Sequence, residues 1–206
     1  MEKAAQAKRR ISAQGDLDGA CFLYSIVNAF VALTHREPGF DAVCRAFGQV
    51  DFPADFLNGE VGTTGRYDGD YALQADNMRR ILAALGVEPF EIKRLEGPLS
   101  LPLLAAKVHA QSVVVVRYKG DSQHAQGVDH WVCAVGADSP AANSADSSAV
   151  TLHVACSIRL HKACGDGAGY AERHDRDLDR WSNDMLSQEY PHTLVPGEAF
   201  QIALPG

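Results

Sequence analysis

The chain contains no C-x-x-C pair, no apolar run near the roughly 20 residues that span a bilayer, and no basic stripe beyond Lys8-Arg9-Arg10. Each absence narrows the field. Five scattered cysteines, an odd number, suit free thiols in a reducing compartment better than a disulfide framework. Without a long apolar run, no contact with a membrane is expected. A net charge of -7, from 19 basic and 26 acidic residues, argues against a nucleic-acid partner. The short basic run reads as part of a solvated, flexible arm over residues 1–11. Met1 is followed by polar and charged residues rather than an apolar segment, so no secretory signal is expected and the cytoplasm is the predicted location. A phosphate-binding loop, a paired-glycine dinucleotide fingerprint and a serine nucleophile elbow are also missing.

What is present describes an ordinary globule. The 206 residues are 46% hydrophobic and 22% charged, enough for a single domain with a full core. Phe22, Leu23, Ile26, Val27, Phe30 and Leu33 form a wide apolar stripe at helical spacing. Ala42 to Phe47 predicts a short helix, and Gly59 to Asp70, dense in glycine, a surface loop. Asp76 or Asn77 is expected to cap a helix carrying Met78, Ile81, Leu82 and Leu85 and ending at Gly86. Val87 to Leu95 reads as a weak strand, and Ser100 as the cap of a short helix through Val108.

From there the period changes. SVVVVRY (112–118), HWVCAVG (130–136), AVTLHVACSI (149–158) and AFQIAL (199–204) read as strands, with a hairpin insertion at 137–148 and a long loop at 161–180. Helices followed by a mostly antiparallel sheet predict the α+β class.

The chemistry centres on QGDLDGACFLYSIVNAF, residues 14–30. With Asp18 or Gly19 as the expected N-cap, Cys21 falls in the first turn of a helix, where the dipole favours thiolate over thiol. Gln14 places an amide side chain upstream of it. A cysteine nucleophile needs a base. Of eight histidines, His130 has the most rigid setting, at the head of an apolar strand directly after a polar loop. Alternation puts His130, Val132 and Ala134 on one face of that strand and Trp131, Cys133 and Val135 on the other.

The Q-x6-C motif with the distant H-W-V-x-x-V-G strand resembles the papain-like (clan CA) cysteine peptidases, most nearly their bacteriocin-leader-processing branch, over about residues 12–158. The resemblance implies a papain-like fold whose cysteine helix packs on the sheet. It implies that Cys21 is the nucleophile, His130 the base, and Gln14 an oxyanion-hole donor beside the Cys21 N–H. It further implies a peptide or protein substrate and an acyl-enzyme, with no cofactor and no metal. The oligomeric state stays open. Relatives carry Asp or Asn after the histidine strand to orient the imidazole. Here LHVACSI offers Cys156 and Ser157, so Ser157 is the candidate acceptor; Asp138, Asn143 and Asp146 are outside candidates.

The same Cys–His pair would also serve an acyltransferase or transglutaminase-like enzyme, and the missing acid allows a catalytically silent module that binds a peptide. Ser25 and Asn28 share a helix face with Cys21 and are expected to be polar packing. His153-x-x-Cys156 and His161-x-x-Cys164 have zinc-like spacing, but a strand sends His153 and Cys156 to opposite faces, so no metal site is expected.

Overall fold

The computed structural model describes residues 10–11, 20–57, 66–86, 89–120, 129–138, 150–155, 157, 173–174, 179–181 and 192–206. In chain order the elements are β1 (Arg10–Ile11), α1 (Cys21–Thr34), α2 (Phe40–Phe47), a 3-10 turn (Pro53–Leu57), α3 (Tyr71–Leu85), β2 (Glu91–Arg94), α4 (Leu101–Ala105), β3 (Ser112–Gly120), β4 (Asp129–Asp138), β5 (Thr151–Ala155), β6 (Arg173–His174), β7 (Asp179–Trp181) and β8 (His192–Ala203). This is the expected α+β class. Six strands form one sheet in the order β2-β8-β3-β4-β5-β7, and every pairing in it is antiparallel.

The sheet is covered on both faces, which explains why its central strands are apolar almost without interruption. On one face Val113, Val115, Trp131, Cys133, Phe200 and Ile202 pack against α1, α2 and α3. On the other, Val114, Val116, Val132, Ala134, Leu152 and Val154 pack against Leu101 and Leu104 of α4. Helix α1 is apolar nearly all round, with twelve buried residues, and runs as the central helix of the first layer. His35, in the left-handed conformation at φ 56°, closes it by donating its N–H to the Val31 carbonyl.

Several boundaries differ from the sequence expectation. Helix α3 begins at Tyr71, not at Asn77, because Asp70 is its cap and accepts a hydrogen bond from the Leu73 N–H. Asn77 lies inside the helix, where its Oδ1 accepts from the Asp51 N–H at 2.9 Å. At the end of the expected arm, Arg10 and Ile11 pair with His174 and Arg173. The hairpin strands extend into the expected insertion, with Asp138 opposite Thr151, and residues 139–149 fall outside the description. Strand β8 starts at His192, well before the expected 199. It absorbs Pro196 and Gly197 in a wide bulge: from Tyr118↔Leu194 to Val116↔Ala199, β3 advances two residues and β8 five. Among the described residues no helix is long and apolar enough to cross a membrane.

Candidate active site

Cys21 is the first residue of α1. Its N-cap is Ala20, which makes no side-chain cap, and no acidic residue stands in the first turn. The expected cap at Asp18 or Gly19, and Gln14 with them, fall outside the described residues. The first-turn N–H groups therefore present their partial positive charge close to the thiol.

The helix start is fixed to the sheet by aromatic packing. Phe22 meets Trp131 edge-on at 5.0 Å between centroids, and it also contacts Tyr67 at 6.0 Å and Phe56 at 6.3 Å. Trp131 stacks in turn on Phe200 at 6.3 Å. This packing delivers the Cys21 sulfur to β4, where the Trp131 main-chain N–H donates to Sγ at 3.4 Å. The thiol thus lies against the residue that follows His130.

His130, the second residue of β4, stands opposite Tyr118, and the two rings meet edge-on at 5.6 Å. The pleat sends His130 to the Tyr118 face, while Trp131 faces α1, as alternation predicts. Cys21 and His130 are both wholly buried, each 0% exposed. Ser157 is buried too. The described β4–β5 ladder ends at Cys133↔Ala155, two residues before Ser157.

The outside candidates fare differently. Asp138 stands eight residues along β4 from His130, roughly 26 Å away at strand rise. Its carboxylate is taken by His153 Nε2 at 3.0 Å, so it cannot orient the His130 imidazole. Asn143 and Asp146 lie outside the described residues, as do Cys156, His161 and Cys164 of the zinc-like spacing. Among the described residues, no group of three or more His, Cys, Asp or Glu is arranged to hold a metal ion. Ser25 donates back to the Phe22 carbonyl at 2.6 Å and serves the helix.

One strand over from Trp131, on β3, lies a charged network that sequence reasoning missed. Arg117, the direct cross-strand partner of Trp131, is 2% exposed. Its Nη1 donates to Glu198 Oε2 at 2.7 Å and to Asp68 Oδ1 at 2.5 Å. Glu198 Oε1 accepts from the Gly69 N–H at 3.2 Å and from Gln74 Nε2 at 3.3 Å. Tyr67, beside Asp68, is buried against Phe22, and its hydroxyl donates to the Asp51 carbonyl. Burial, reinforced by the Asp51 and Asp55 carboxylates, pushes the Tyr67 phenol well above its ordinary range, so it stays a neutral donor. The available signal was a lone arginine inside SVVVVRY and a lone glutamate just before AFQIAL, since charges rarely lie within buried strands unless paired.

No family model, curated protein or solved structure matches this chain.

Proposed function

We propose that the protein is a cysteine hydrolase, a peptidase or amidase on a papain-like fold, working through Cys21 and His130. The observation that carries this reading is the Trp131 N–H to Cys21 Sγ contact at 3.4 Å, which holds a helix-starting thiol against the residue next to a strand-anchored histidine. A helix start and a donated N–H both favour sulfur as the anion.

In this reading His130 takes the Cys21 proton and the thiolate attacks the substrate carbonyl. The carbonyl oxygen becomes an oxyanion, held by the Cys21 N–H and the Gln14 amide. His130 then protonates the leaving amine, the C–N bond breaks, and an acyl-thioester remains on Cys21. Water, deprotonated by His130, attacks the thioester and releases the acid and the free thiol. No cofactor is required.

One observation favours a second reading, a silent peptide-binding module: Cys21 and His130 are both fully buried. Alkylation separates the two, and the exposed Cys44 supplies an internal reference. Site-resolved mass spectrometry after iodoacetamide treatment near neutral pH is expected to find Cys21 labelled faster than Cys44, with the excess rate lost in His130→Ala. If Cys21 labels no faster than Cys44, the hydrolase reading fails and the silent module takes its place.

A further inference from the structure

Strand β2 ends one side of the six-stranded sheet, and among the described residues only β8 lies beside it. The register with β8 decides which way each backbone group of β2 points. The Leu95 N–H donates to the Ala199 carbonyl at 2.8 Å, one residue past the ladder pair Arg94↔Phe200. Hydrogen-bonded and non-hydrogen-bonded pairs alternate in an antiparallel ladder, so Glu91, Lys93 and Leu95 turn their N–H and C=O toward β8. Ile92 and Arg94, with Phe90 just before the strand, turn theirs outward, where they meet no partner among the described residues.

This edge is open to contact. Glu91 and Lys93 are exposed, and Phe90, Ile92 and Arg94 are half-buried. Phe90 and Ile92 pack on the helix-covered core, so alternation sends Glu91 and Lys93 to the opposite face. Neither reaches an opposite charge among the described residues. An unpaired edge is a template for another strand, and proteins commonly guard it with charge that repels a second copy. Strand β2 instead carries one charge of each sign, two residues apart on one face.

We propose that β2 pairs with β2 of a second copy, antiparallel about a two-fold axis through Ile92, joining the two sheets into one. The sequence suits only this centre. The axis passes through a residue, because an axis between residues would set outward backbone groups against inward ones. Centring it on Glu91 or Lys93 sets that charge against itself, and centring it on Arg94 opposes two guanidinium groups. Like charges directly opposite are destabilising. Centred on Ile92, Glu91 faces Lys93 of the second copy on both sides of the axis. Those are non-hydrogen-bonded positions, where cross-strand side chains come closest. Phe90, Ile92 and Arg94 then exchange their outward main-chain hydrogen bonds with the same three residues of the second copy.

Sedimentation equilibrium of the full chain tests this. The salt is set near 0.15 M, where repulsion between chains of net charge -7 is screened beyond about 8 Å. The wild type is expected to show a concentration-dependent equilibrium of monomer and dimer below about 0.1 mM. Glu91→Lys and Lys93→Glu each turn two attractive pairs into two repulsive ones, and each is expected to raise the dimer dissociation constant about tenfold or more. Mixed in equal amounts, the two variants are expected to form a heterodimer about as tight as the wild-type dimer, because their reversed charges match across the axis. Recovery on mixing also shows that both variants are folded. A wild type that stays monomeric overturns the proposal and leaves the edge to an extended segment of another protein. A dimer that neither reversal weakens overturns the use of β2. Variants that weaken singly but do not recover on mixing overturn the axis at Ile92.

Discussion

Removing the carboxylate of Glu198 is the most demanding test of how this fold is held. Glu198 and the Arg117 it binds are each nearly fully buried, while Asp68, the second partner of Arg117, is 45% exposed. Glu198→Ala takes the buried carboxylate from a buried guanidinium, leaves the Gly69 N–H without this acceptor, and leaves the Gln74 amide only its bond to the Tyr67 carbonyl at 2.8 Å. Breaking a buried pair from one side costs about 3–5 kcal/mol. For a chain of this size that is a fall in melting temperature of roughly 6–20 °C, at about 2–4 °C per kcal/mol. Asp68→Asn is expected to cost under about 1 kcal/mol, because water replaces much of what the exposed carboxylate supplies. The double variant Arg117→Met/Glu198→Leu buries no charge and is expected to recover most of the loss. Urea unfolding followed by circular dichroism measures all three, and the cycle closes with the singles Arg117→Met and Glu198→Leu. The reasoning is refuted if Glu198→Ala costs less than about 1 kcal/mol, or if the double variant equals the sum of its singles within about 0.5 kcal/mol.

Three further outcomes are expected. The folded state keeps the Tyr67 phenolic proton that the unfolded chain releases above roughly pH 10, so the stability linked to it is complete below that pH and declines as pH rises, by at most about 1.4 kcal/mol per unit. The urea midpoint should therefore fall more steeply between pH 9 and 11 in the wild type than in Tyr67→Phe; equal slopes would count against the assignment. Gly197→Ala combines a left-handed backbone with a 2.9 Å approach to Tyr71 Oη and should cost about 1–3 kcal/mol in urea unfolding, with an unchanged midpoint as the contrary result. Trp131→Ala removes the ring between Phe22 and Phe200 and should cost about 3–5 kcal/mol, whereas Trp131→Phe, which keeps most of the packing, should cost clearly less.

The elements that the sequence predicts well are those whose periodicity comes from burial alone. Helix α1 shows its stripe because it is the central helix, and β3 and β4 show theirs because helices cover both faces of the sheet. Where polar side chains do structural work, the periodicity argument loses its grip. The first turns of α3 read as non-helical because Gln74 and Asn77 are polar, yet both are buried by bonds to residues far along the chain. Strand β8 was hidden by Pro196 and Gly197, which normally break strands and here occupy a bulge. The candidate site divides in the same way. Cys21 at a helix start and His130 at a strand head follow from local pattern. The Arg117–Glu198 pair joins residues 81 apart, and no window along the chain brings them together.

The pleat gives Trp131 to the α1 face and His130 to the opposite one, which at first sight separates base from nucleophile. The donor to the thiol resolves part of this. A main-chain N–H of a strand lies in the plane of the sheet, so an acceptor bonded to the Trp131 N–H lies near that plane rather than above a face. Strand β3 already pairs along this part of β4, from Lys119↔Asp129 to Val114↔Ala134, whereas the β5 ladder reaches no nearer than Cys133↔Ala155. The sulfur therefore lies on the flank of β4 away from β3, past the described end of the β5 ladder. A group in the sheet plane, next to a strand end, can be approached from either face. For a His130 base, the geometry then asks for a side chain that turns around the end of β4, not one that crosses the core. Ser157 is buried two residues beyond the last β5 pairing, and its hydroxyl has two candidate targets, the sulfur and the imidazole. If it acts on the sulfur, Ser157→Ala should change the alkylation rate of Cys21 directly. Its effect should persist in a His130→Ala background, and disappearance of the effect there would return Ser157 to the role of orienting the histidine.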